Sequence, residues 1–188
     1  MQIISWKDIL EFWFAPEHVP LHFAQSEVFD NKIRNKFLTT WEIGTEGLLV
    51  GWRTELRGRL AEIIVLDQFS RNLWRNDART YAQDKMSVVL AQEAVAHPEY
   101  DALSKAEKKF MLLPFMHSES LELHDLAYTY FEALGDDGTL RFEKLHRNVL
   151  AKYGRYPFRN EALGRESTPD ELDYLEKRLE GTLNKSLY

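Results

Sequence analysis

Cysteine is absent from the 188-residue chain. Its absence excludes disulfides, cysteine-ligated zinc and thiol catalysis, and fits a reducing compartment. No 18-residue run is free of charge, so no segment reads as a membrane-spanning helix. The first ten residues, MQIISWKDIL, carry Asp8 and no basic leader, so they do not read as a signal peptide. Three chemical signatures are also missing: a glycine-rich phosphate loop, His-Glu-x-x-His and Gly-x-Ser-x-Gly. Acyl transfer and P-loop chemistry therefore have no support. Positive charge is in deficit, with 24 Lys+Arg against 30 Asp+Glu and a net charge of −6. That balance argues against a general nucleic-acid surface.

What is present is an ordinary globular composition, with 44% apolar and 13% aromatic residues. Length predicts one domain over residues 1–188, or at most two small ones. The dominant periodicity is helical. Ser5-Trp6-Lys7-Asp8 reads as a capping box, followed by Trp6, Ile9, Leu10 and Trp13 on one face. A second helix should start near Ser26, run through Phe29, Ile33, Phe37 and Trp41, and close at Gly44 and Gly47. Leu60 to Phe69 is apolar nearly all round and predicts a central buried helix. Residues 70–79 read as a polar loop, and Tyr81 to Ala96 as a helix stopped by His97-Pro98. Ser104 to Glu107 is a second capping box, and Pro114 should kink or end the helix behind it. Leu121 to Phe131 should form a helix closed by Gly135. Thr139 should open another, with a stripe of Phe142, Leu145, His146, Val149, Leu150 and Tyr153 up to Gly154. Thr168-Pro169-Asp170-Glu171 opens the last helix, which carries Leu172, Leu175 and Leu179. No alternating strand is convincing. The expectation is an all-α fold of seven to eight mostly antiparallel helices, an array or bundle.

Four features exceed plain scaffold. Asp67-Gln68 lies inside the most apolar helix, where a carboxylate must be paired. It either pairs with Arg71 at i+4 or lines a pocket. His117 sits at the Pro114 break, seven residues before His124, with Glu119 and Asp125 nearby. A two-His-plus-carboxylate metal site is a nonspecific reading of that spacing, and the competing one is a histidine bonding backbone at a kink. His146 stands in an apolar stripe, either as a satisfied core residue or as a group available for acid–base work. The segment Lys152 to Asn160 alternates arginines with aromatics. It suits an anion, or ties helices together through their carbonyls.

The stretches IISWKDILEFWFAPE, GRLAEIIVLDQFSRNLWR, PFMHSESLELHD and HRNVLAKYGRYPFRNEALGRESTPDEL together resemble one bacterial family, domain of unknown function 924. The resemblance covers residue 3 to about 172 and implies a tetratricopeptide-like helical fold without implying an activity. Ser70 stands where members usually have Pro, and Phe158 where they usually have His. The second departure counts against a catalytic role at that loop position. The family's polar positions map onto Asp67, Gln68, Arg71, Asn72, His117, Ser118, Glu119, His146, Arg155, Arg159, Asn160 and Arg165, and are expected to line a cleft.

Charge is unevenly spread. Residues 139–165 carry seven basic and two acidic groups, net +5. The leading expectation is a binding module for a small anionic ligand or acidic peptide. Its candidate site comprises Asp67, Arg71, Asn72, His117, Glu119, His146, Arg155, Arg159, Asn160 and Arg165, with Tyr156 and Trp74 flanking. Two alternatives stand beside it: an enzyme using His117 or His146 as general base, and a purely structural polar network. The expected protein is cytoplasmic, with no metal, cofactor, nucleic-acid partner or membrane partner.

Overall fold

A computed structural model describes residues 4–179. The regular secondary structure of the described residues is all helical, with no strand among them, as the periodicity predicts. They group into two compact units. The first contains residues up to 75 together with 79–111, and the second contains 76–78 and the chain from 112.

In the first unit, α1 (Trp6–Trp13) starts at the expected capping box. The Ser5 Oγ accepts from the Asp8 amide, and the Asp8 carboxylate accepts from the Ser5 amide at 2.7 Å. Helix α2 (Glu27–Thr45) is capped by Ser26 and buries Phe29, Ile33, Phe37 and Trp41. It runs through Gly44 instead of stopping there. A Cβ at Gly44 would meet Leu49 at 3.1 Å and Leu66 at 3.3 Å, so this glycine serves close packing. Gly47, with φ of 74°, makes the turn beyond the helix.

The central element is α3 (Leu56–Ile63), continued by a π-helical segment (Ile64–Phe69) and by α4 (Ser70–Leu73). Every residue from Leu60 to Ser70 is buried, which matches the all-round apolar reading. The helix outlasts its apolar run, so residues 70–73 are not loop. Their side chains return to the preceding turn: Ser70 Oγ donates to the Leu66 carbonyl and Arg71 Nη1 to the Asp67 carbonyl. These bonds let polar residues continue a buried helix. Around this element pack α1, α2 and α5 (Asp84–Val95). Trp13, Phe29, Phe37 and Phe69 form the aromatic centre, with ring centroids 5.2–6.0 Å apart.

Helix α6 (Lys105–His117) begins at the Ser104–Glu107 capping box. It continues through Pro114 for three further residues, so the helix does not end at this proline. Proline removes one donor, while Phe110, Met111, Leu112, Leu113, Phe115 and Met116 are all buried. Burial of that apolar run outweighs one missing bond.

The second unit contains α7 (Leu121–Leu134), α8 (Asp137–Tyr153) and α9 (Pro169–Leu179). Gly135 and Gly154 end α7 and α8 with φ of 61° and 71°, as a left-handed C-cap requires. Helix α8 starts two residues before Thr139, because Asp136 supplies the cap. Its buried face is Thr139, Glu143, His146, Val149 and Leu150. Glu143 thus takes a place that the apolar stripe assigned to Phe142. Helix α9 keeps the predicted Thr168–Glu171 cap, yet buries Glu171 and Tyr174. Leu172 and Leu179 are 56% and 77% exposed. Tyr174 joins Val149, Leu150 and Tyr156 in the core of this unit.

Candidate functional site

Each unit contains its own polar cluster. In the first, the π-helical segment places Asp67 with no exposed surface. Its Oδ1 lies 3.0 Å from Arg71 Nη1, and its Oδ2 accepts from Gln68 at 2.6 Å. Arg71 also grips Asp84 through both terminal nitrogens, at 3.0 and 3.2 Å. Burial opposes charge on Arg71, but Asp67 and Asp84 outweigh it and hold the guanidinium charged. Asn72 donates to Asp30 at 2.7 Å, and Arg75 clamps the same carboxylate. Trp74 lies between the guanidinium groups of Arg34 and Arg79, at 4.9 and 3.6 Å from its ring centre. The Asp67–Arg71 pair anticipated from i, i+4 spacing therefore exists. No local spacing points to Asp84 or Asp30, which come from α5 and α2.

The second unit joins the remaining candidates. Arg165 forks onto Glu119 at 2.7 and 3.0 Å, donates to the Tyr156 carbonyl, and reaches Asn160 Oδ1 at 3.0 Å. Glu119 also accepts from the Tyr156 amide at 2.7 Å. Burial alone would raise the Glu119 pKa, but Arg165, the Tyr156 amide and the Arg159 charge hold it below the usual carboxylate range. Arg155 forks onto Glu171 at 2.6 and 2.7 Å and donates to the Glu166 carbonyl. Asn160 donates to Ser167 and Glu171. Arg155 and Arg165 are thus committed to carboxylates within the fold, and they pin the loop between α8 and α9.

The Arg155 bond holds the Glu171 carboxyl at about 2, well below its ordinary 4.5. A lowered folded-state value means the pair stabilises fully above the unfolded value near 4.5 and loses that contribution as pH falls toward 2. Wild type should therefore lose melting temperature steeply across pH 4.5 to 2, and Arg155→Ala less so. Parallel acid slopes for the two proteins would contradict this assignment.

Beneath the loop lies a drier cluster. His124 and Glu143 are both fully buried, with Nδ1 and Oε1 2.5 Å apart. The other ring nitrogen, Nε2, must donate to the Ser118 carbonyl at 3.0 Å, since a carbonyl only accepts. Tyr156 is fully buried and donates to the Met116 carbonyl at 2.7 Å. Arg159 donates to the His117 carbonyl at 2.8 Å, and its guanidinium lies 4.7 Å from the Tyr156 ring centre. Phe158 stacks on Tyr156 at 5.2 Å.

His146 stands edge-on to Tyr156 at 5.5 Å and to His117 at 6.5 Å. Its Nδ1 donates to the Phe142 carbonyl at 2.8 Å, which fixes the tautomer and leaves Nε2 as a bare acceptor. That atom is buried and has no hydrogen-bond partner. Burial, with the neighbouring histidines and Arg159 adding to it, pushes the His146 pKa down to about 3. Glu143 Oε2 and Thr139 Oγ1, on the same face of α8, are likewise buried and unbonded. Among the described residues no three His, Asp or Glu side chains group to hold a metal. Glu143, which is not among the expected site residues, joins this cluster. Its signal was available: an acid one turn before His146 on an inward face.

An open depression of about 300 Å³ on α8, lined by Asp137, Leu140, Arg141, Lys144 and Leu145, carries exposed cations and no buried polar group.

No protein with a curated description matches the chain. A solved structure, that of a protein of unknown function from Agrobacterium tumefaciens, is similar at 33% identity and a TM-score of 0.84, covering 92% of this chain and 97% of that one. The sequence matches the bacterial proteins of unknown function grouped as DUF924 over residues 9–178. Four ordered motifs, an all-helical architecture and that near-complete match agree: the chain belongs to the DUF924 family.

Proposed function

We propose that the chain is a binding module whose second unit takes up a small anionic ligand, with His146 at the base of the site and His117, Tyr156 and Arg159 around it. The observation that carries this reading is the bare Nε2 of His146, an acceptor only 2% exposed as a residue and bonded to nothing. Leaving such a group unmade costs about 1–3 kcal/mol, and native folds retain few of them. A bound donor removes the cost. Arg155 and Arg165 are taken by Glu171 and Glu119, so the support for an anionic ligand is the charge of Arg159, which acts on His146. Binding is favoured over proton abstraction because a histidine with a pKa near 3 is a weak base at neutral pH.

One observation favours a second reading for part of the cluster. Arg155, Arg165, Glu119, Asn160 and Glu171 satisfy one another, as a network that fixes loop geometry would.

A thermal-shift panel of small carboxylates and phosphate monoesters tests the proposal. A ligand at a hundred times its dissociation constant adds about 2.7 kcal/mol, which in a protein of this size raises Tm by roughly 5–10 °C. Arg141→Ala, in the exposed depression, should respond as wild type does. If no compound raises Tm while His117→Ala and Arg155→Ala both melt far below wild type, the network is structural and the binding reading fails.

A further inference from the structure

We infer that the ligand group meeting His146 is a hydroxyl, so that the ligand is a hydroxylated anion whose charged end lies elsewhere in the site. This rests on the binding reading above. Nδ1–H is tied to the Phe142 carbonyl at 2.8 Å, so only a lone pair remains on Nε2. An anionic oxygen brought to that nitrogen would set lone pair against lone pair, because the ring stays neutral. One turn earlier on the same face, Glu143 Oε2 is also buried and unbonded. Its other oxygen is engaged by His124. Two bare acceptors at i and i+3 project from one helix face, and both call for a donor.

The donor is uncharged. The Arg159 guanidinium lies over the Tyr156 ring that His146 contacts edge-on, and the His124 Nε2 that donates to the Ser118 carbonyl also lies 3.2 Å from the Tyr156 hydroxyl. An ammonium group there would meet the same Arg159 charge that disfavours a positive charge on His146 itself. A hydroxyl gives its proton to an acceptor and keeps lone pairs for the donors nearby, so it fits both sets of neighbours.

The test uses the full chain and matched pairs differing by one hydroxyl: malate and succinate, lactate and propionate, ribose 5-phosphate and 2-deoxyribose 5-phosphate. Aspartate serves as the ammonium counterpart of malate. Calorimetric titration should show at least one hydroxylated member binding about tenfold or more tightly than its partner, since an unmet buried acceptor is left behind otherwise. The Nε2 signal of His146 in nitrogen-15 spectra should move with the hydroxylated member alone. His146→Leu should bind both members of that pair equally. It should also melt about as wild type does, because the bond lost from Nδ1 to the Phe142 carbonyl is offset by removal of the unbonded Nε2. Equal binding of both members of every pair by wild type overturns the inference and leaves the binding reading intact. Preference for aspartate over malate, or an unmoved Nε2 signal, overturns it in the same way. If no compound binds, the binding reading has failed and the inference falls with it.

Discussion

Gly58→Ala should be the most damaging small substitution in the chain. An added Cβ at this α3 position would lie 2.0 Å from the backbone carbonyl oxygen of Trp52 and 2.8 Å from its carbon. No side-chain rotation relieves a clash with backbone. Either the Val50–Thr54 turn or the first turn of α3 must move. The same corner is held by Arg53, which forks onto the fully buried Glu62 at 2.7 Å through two nitrogens. Displacing the turn would loosen that pair as well. The expected loss is about 3 kcal/mol or more, a fall in Tm of about 6–12 °C for a protein of this length. Gly51→Ala is the control: nothing lies within 4 Å of its added Cβ, so stability should stay within about 0.5 kcal/mol. Equal melting of the two variants would mean that the Trp52 carbonyl does not pack on Gly58.

The His124–Glu143 pair should show the second large effect. Both side chains are fully buried and 2.5 Å apart. Glu143→Leu strands the His124 Nδ1, and His124→Leu strands a buried carboxyl group. Each single variant should lose about 3–5 kcal/mol by chemical denaturation, because removing one member of a buried pair leaves the other uncompensated. Replacing both by leucine should recover much of that loss, since an apolar pair of similar volume leaves nothing unmet. The two single effects would then be strongly non-additive. Additive effects in the double variant, or single losses below about 1 kcal/mol, would show that the pair is not the keystone of this unit.

The stranded groups and the satisfied ones lie on one helix, and that contrast bears on function. Helix α8 buries Glu143 and His146 one turn apart. Each has one polar atom bonded and one bare. A purely structural network tends to close all its bonds. The loop network around Arg155 and Arg165 comes close to doing so, whereas the α8 face does not.

Elements with strong local signals were legible in the chain. The capping boxes at Ser5, Ser104 and Thr168, the C-cap glycines 135 and 154, and the buried run from Leu60 to Phe69 all stand where local chemistry puts them. The Asp67–Arg71 pair was legible for the same reason, since i, i+4 neighbours are set by helix geometry alone. Two of the misjudged boundaries share one cause. Pro114 and Ser70 to Leu73 break local preference, yet lie in helices because their neighbours are buried. The leucines of α9 follow helical periodicity, yet Leu172 and Leu179 face solvent while Glu171 turns inward to Arg155.

By itself, then, the sequence determined an all-helical protein, the caps that start and stop its helices, and a basic segment at residues 139–165. These rest on interactions within a few residues of chain. Only the tertiary structure decided what the polar residues do. Arg155 meets Glu171, Arg165 meets Glu119 and His124 meets Glu143 across 16, 46 and 19 residues. No local spacing encodes which carboxylate an arginine will find. His146 keeps a bare Nε2 for the same reason: the helix it stands on supplies only the Phe142 carbonyl, which Nδ1 takes.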